Sequence, residues 1–298
     1  MLRFLRLFRL ALWRGFQHDI FTSARSAAYY STLTLFPLLM VVAAALDASK
    51  ETVSFLKQIA GGVNGILPPG SPDVARLYFE NQRSPQTITT ASIIMLIAAS
   101  GMVVSWMDGF LHAYGMEHCW NPFKERAIAV LLVLLAFVPM TFATVSVIFG
   151  NQIEQWMINN SMTELGPAII LFWWALRWLT SALTCIAVLA LIYHLGIPRW
   201  QPWYRVLPGA ALTTVLWLGA SVGFGWYITN FGDYNVIYGP LGAAIALLVW
   251  MYIISFIVLL GAEFNALVYP RSPEPCPVKV REPEEAATPA ERSLAKGK

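Results

Sequence analysis

Charge is what this sequence has least of. Only 12% of its 298 residues are Asp, Glu, Lys or Arg, against roughly 25% in a soluble domain, while 57% are hydrophobic. That poverty excludes an ordinary globular enzyme. Between Val206 and Ala262 the one formal charge is Asp233. Cysteine is scarce too: Cys119, Cys185 and Cys276 share no CxxC spacing and read as unpaired, with neither a disulfide framework nor a zinc site. The histidines, His18, His112, His118 and His194, form no HxHxDH-type cluster, and paired carboxylates are missing. The chain is therefore expected to have no catalytic residue, no metal, no cofactor and no nucleic-acid partner. The amino terminus lacks a continuous apolar core for a cleavable signal, because Arg3, Arg6, Arg9 and Arg14 interrupt it. No repeat of the solenoid or inverted-transporter kind is evident.

Long apolar runs are what the chain does have. Six approach the roughly 20 residues that cross a hydrocarbon core of about 30 Å, at residues 26–46, 88–107, 127–150, 172–195, 206–230 and 241–264. They are apolar throughout rather than alternating, so helices are expected and barrel strands are not. The fold class read from this pattern is an all-α membrane protein: a six-helix transmembrane bundle over residues 23–268, an amphipathic interfacial helix over residues 1–22, and a disordered tail over residues 269–298. The tail, rich in Pro, Glu, Ala and Lys, has too few large apolar groups to fold.

Basic residues set the expected orientation. Arg3, Arg6, Arg9, Arg14 and Arg25 precede or open the first run; Lys124, Arg126, Arg199 and Arg205 lie in two further connections on the same side, and six more Lys or Arg fill the tail. The opposite side holds Lys50, Lys57, Arg76 and Arg83, all in one loop. The positive-inside rule then places both termini in the cytoplasm. In the amino-terminal arm Leu2, Leu5, Phe8, Leu12 and Phe16 recur at spacings of three and four, which predicts a helix lying on the membrane with arginines along its other side. A cap packed on the bundle is the alternative for the same pattern. The first outer loop, residues 47–87, is expected to hold a short amphipathic helix through Val53, Leu56, Ile59 and Val63, ending near Pro68 and Gly70.

Three stretches, AAYYSTLTLFPLLMVV at residues 27–42, PGAALTTVLW at 208–217 and YITNFGDYNVIYGPLGAAIALLVWMYIISFIVLLGAEFNA at 227–266, resemble the YihY/BrkB family of bacterial inner-membrane proteins, long mislabelled as ribonuclease BN. The resemblance covers nearly all of residues 23–268. It implies six membrane helices and an inner-membrane location, and no settled activity. Two departures stand out: Pro240 takes a position where relatives often have serine, which suits the first turn of a helix, and no amide precedes Ala113 near Leu111.

The polar residues of the runs gather at two levels. On the outer side Asn230, Asp233, Asn235 and Tyr238 crowd a short turn, where capping is the first reading and a cation or headgroup site the second. Arg177, among Trp173, Trp174 and Trp178, either snorkels to the outer surface or is a buried functional charge. With the fourth run entering near Phe172, Arg177 lies within reach of that surface, and a pairing with Asp233 is expected. On the inner side Arg25, Asp108, His194, Glu263 and Asn265 stand near helix ends, as a polar gate or as pairings that fix those ends. Ser23, Ala27 and Ser31, and Gly219 with Gly223, are small-residue stripes expected to let helices approach closely. Few central charges argue against an ion-coupled relay. The chain is thus expected to move a lipid or other amphiphilic envelope component, with membrane lipids as partners and a homo-oligomer left open. A scaffold for envelope assembly is the alternative, and ribonuclease action fails for want of its constellation.

Overall fold

Backbone groups in lipid can be satisfied only within a segment or a closed barrel, and the apolar runs of this chain resolve that demand as helices. The structure is a computed structural model that describes residues 2–47, 85–160, 166–199, 201–231 and 240–270, and every regular element among them is helical. In chain order these are α1 (Leu2–Gln17), α2 (Ile20–Asp47), α3 (Pro85–Tyr114), α4 (Pro122–Asn160), α5 (Gly166–Leu195), a 3-10 turn (Trp203–Arg205), α6 (Leu207–Phe231) and α7 (Pro240–Val268). The expected helix in the first outer loop, the turn around Asp233 and the tail beyond residue 270 lie outside the described residues. Pro240 opens α7, where its missing N–H costs nothing.

Among the described residues five helices are long and apolar enough to cross a membrane: Ile88–Tyr114, Pro122–Ala143, Leu171–Leu195, Leu207–Tyr227 and Ala244–Val268. The remaining expected run, residues 26–46, lies on α2, a helix of 28 residues several of whose side chains in its second half are outside the described residues.

Each of α2 to α7 packs on the next in sequence, and α7 closes on α2, so the helices form a ring. Helix α7 also touches α3 and carries α1 on its flank. One end of the ring, called here the arm end, gathers α1, the start of α2, the ends of α3, α5 and α7, and the starts of α4 and α6. The buried side chains crowd there: Ile20, Ala24 and Ala27 of α2, Met107 and Phe110 of α3, Leu132 of α4, Tyr193 of α5, Ala210 of α6 and Leu259 of α7 make one core. Phe110 meets Tyr193 edge-on with ring centroids 5.2 Å apart.

Small residues make this packing possible. Ser23, Ala27 and Ser31 are buried, and a Cβ on Gly109 of α3 would collide with Leu259 and touch Ser23 Cβ at 3.3 Å, so this stripe brings α2, α3 and α7 together as expected. Gly219 and Gly223 do not: nothing described lies within 4 Å of where their Cβ atoms would sit. They belong to an exposed stripe of α6 with Val215, Leu218, Val222 and Trp226. The apolar stripe of α1 is also split. Phe8 and Leu12 join Ala11 against Leu212, Leu260 and Phe264, while Leu5, Leu10, Trp13 and Phe16 are exposed. Docking on α7 claims half of the stripe because α7 presents apolar residues beside the arm.

Candidate functional site at the arm end

The carboxy-terminal turns of α7 carry Gly261, Glu263 and Asn265, and the first turns of α6 lie against them. Asn265 is fully buried. Its Oδ1 accepts the Gly209 N–H at 2.7 Å, and its Nδ2 donates to the Val206 carbonyl at 3.2 Å. The first N–H groups of a helix have no partner within it, so Asn265 caps α6 from another helix. Contact is close because glycines face one another: a Cβ on Gly209 would strike the Gly261 carbonyl and the Asn265 amide, and one on Gly261 would strike Thr213 Oγ1.

A second knot sits one turn deeper. Tyr193 is 0% exposed, and its hydroxyl donates to the Val258 carbonyl at 2.7 Å. With that proton committed, Thr213 Oγ1 at 2.8 Å is the donor to the Tyr193 oxygen. Gln201 Nε2 donates to the Tyr193 carbonyl at 2.8 Å, tying the connection after α5 to the helix end. Helices α5, α6 and α7 are thus fastened by hydrogen bonds that no water competes for.

Glu263 is also fully buried, and its Oε1 lies 2.7 Å from His18 Nδ1, at the corner between α1 and α2. Its Oε2 has no partner among the described residues. Asp108 forms a separate group on α3: Ser23 Oγ donates to Oδ2 at 3.4 Å, His118 Nε2 lies 3.0 Å from Oδ1, and His112 Nδ1 lies 3.8 Å from the same oxygen and 2.8 Å from the Asp108 carbonyl. Among the described residues no group of three His, Cys, Asp or Glu side chains is placed to hold a metal ion.

The five inner residues named from the sequence are therefore at one level but not in one network. Glu263 meets His18, Asp108 meets His118 and His112, and Asn265 is a cap. Arg25 is exposed and bonds locally, from Nε to the Phe21 carbonyl at 3.2 Å and from Nη2 to Thr22 Oγ1 at 3.1 Å. His194 stacks on Trp203 with ring centroids 4.3 Å apart. Of the outer residues, Arg177 is partly buried on α5, and its carbonyl accepts bonds from Thr180 and Ser181. Asn230 lies in the last turn of α6, while Asp233, Asn235 and Tyr238 lie outside the described residues. The cysteines divide: Cys185 is free and buried, but Cys119 is disulfide-bonded, which corrects the reading of all three as unpaired, since spacing along the chain does not show which sulfurs meet in space.

Sequence reading passed over Tyr193, Thr213 and Gln201 altogether. The signal available was a tyrosine and a threonine inside apolar runs, whose hydroxyls need partners once buried. His18 was visible only as a solitary histidine.

Fold and site together define a multi-pass helical membrane protein whose polar residues hold helix ends together. The chain belongs to the Virulence factor BrkB family, whose match runs over residues 12–284. It is 24% identical over 265 residues to the ribonuclease-like protein YfkH of Bacillus subtilis, covering 87% of this chain and 93% of that one. A UPF0761 membrane protein of Tolumonas auensis is 29% identical over 269 residues, covering 88% and 85%. Another from Photobacterium profundum is 29% identical over 300 residues, covering 95% and 91%. No solved structure matches.

Proposed function

We propose that this chain is a transporter in the bacterial inner membrane that moves a lipid or other amphiphilic envelope component, with both termini in the cytoplasm. The observation that supports the reading best is the uneven filling of the ring. Buried side chains close the arm end, whereas the far halves of α5, α6 and α7 expose Leu171, Phe172, Val222, Trp226, Ile245 and Leu248. A ring of helices stoppered at one end and apolar along the rest suits a cargo that is itself largely apolar. Lys and Arg favour the arm end as the cytoplasmic one. We read the chain as a non-enzyme, since the sequence offers neither a histidine cluster for a metal nor paired carboxylates.

On this reading the outer mouth, with Arg177, Asn230, Asp233, Asn235 and Tyr238, meets the headgroup, and Arg177 and Asp233 share it. The exposed side of α1, with Arg6 and Arg9 beside Trp13 and Phe16, rests on anionic lipid. Purified protein in liposomes, tested for movement of labelled phospholipid between leaflets, checks the proposal. Movement faster than in protein-free liposomes is expected. Correctly folded protein that moves no lipid favours the scaffold, for which the same ring is a platform for partners.

A further inference from the structure

We propose that His18 and Glu263 form a proton-binding site that latches the amino-terminal arm onto α7. Among the described residues Glu263 is the one charged residue with a fully buried side chain, and it meets the arm at a corner. Gln17 ends α1 and Ile20 opens α2, with Asp19 between them at φ 49°, a left-handed conformation uncommon for a residue with a side chain. Gly15 leaves room for this bend, since a Cβ there would come within 2.7 Å of Ile20. The corner sets His18 Nδ1 2.7 Å from Glu263 Oε1.

The arm's apolar contacts do little to decide whether it stays. In lipid, Ala11, Phe8 and Leu12 gain hardly more from Leu212, Leu260 and Phe264 than from acyl chains, so the polar contact carries the choice. With His18 neutral and Glu263 ionised, the pair buries a negative charge whose Oε2 has no donor, an arrangement that is costly without compensation. One added proton, on either partner, makes the pair an ion pair or a neutral pair and removes the net charge; the proton belongs to the pair rather than to one residue. The other titratable group acting on Glu263 is Arg14, from the arm itself, and it leaves Oε2 unpartnered. Loss of the proton therefore favours lifting the arm and admitting water to the carboxylate. This latch does not depend on what the chain transports.

The test uses full-length protein in nanodiscs of zwitterionic phosphatidylcholine, with Cys185 replaced by serine and the Cys119 disulfide kept intact. Spin labels at the exposed positions Arg9→Cys and Pro202→Cys report the separation of arm and bundle from about pH 5 to about pH 8. The latch predicts one short distance at the acid end and a growing longer population as pH rises. Glu263→Gln keeps a side chain of the same shape that cannot ionise, and is expected to hold the short distance throughout. His18→Ala removes the one described partner of the carboxylate and is expected to open at lower pH than the parent. A parent whose distance ignores pH, or Glu263→Gln opening just as the parent does, overturns the proposal.

Discussion

The two ends of this bundle are made of the same six helices and similar apolar residues, yet they are held in different ways. At the arm end, helix contacts are specified by atoms: an asparagine caps a neighbouring helix, a tyrosine bonds across two others, and facing glycines let backbones touch. Toward the far end α6 leaves Val215, Leu218, Gly219, Val222 and Gly223 exposed, with nothing described against the two glycines. Apolar surface cannot bring helices together in a solvent that is itself apolar. The difference teaches that hydropathy puts helices into the membrane, whereas polar groups and glycines decide where they join.

Substitutions should separate the ends sharply. Gly261→Ala is expected to have the largest effect, at the top of the ~1–3 kcal/mol range for overpacking, because the new methyl meets Thr213 Oγ1 and the Tyr193 hydroxyl; a sharply lowered melting temperature and yield in detergent are the readout. Asn265→Ala leaves the buried Gly209 N–H unpaired and takes one of its two donors from the Val206 carbonyl, which keeps the Ala210 N–H, and a loss of about 2 kcal/mol is expected. That loss should shrink when α6 is already unseated by a second change at Gly209, since the two act on one contact. Tyr193→Phe keeps the ring against Phe110 and removes only the hydroxyl, so about 1 kcal/mol is expected. For His118→Ala the expectation is below about 0.5 kcal/mol, as its ion pair with Asp108 is exposed. Gly219→Ala should be neutral or slightly stabilising, because an open helical glycine gains from a methyl. Destabilisation there comparable to Gly261→Ala would erase the distinction between the ends.

Much of the arm end could be read without coordinates. Apolar runs gave the helices because a backbone in lipid has no alternative, and the spacing of Ser23, Ala27 and Ser31 announced a contact. Glu263 and Asn265 stood out as polar residues near the end of an apolar run. What each meets did not, because the partners are 245 residues away for Glu263 and 56 for Asn265, and periodicity within one helix carries no information about such distances. Gly219 and Gly223 show the converse failure: their spacing permits close approach, but only the ring's geometry determines whether a helix arrives. The arm left two readings open, since a stripe that suits a membrane surface suits an apolar helix equally well, and Phe8 and Leu12 pack on the bundle while Leu5 and Phe16 are exposed.

Hydrogen exchange along α6 tests the contrast most directly, because both halves of that helix are apolar and differ mainly in what packs on them. In detergent micelles, amides of residues 210–214 should exchange far more slowly than those of residues 222–227, since the former open only when the knot of Asn265, Tyr193 and Thr213 opens and the latter can fray locally. Equal protection along α6, or slower exchange in its far half, would contradict the account.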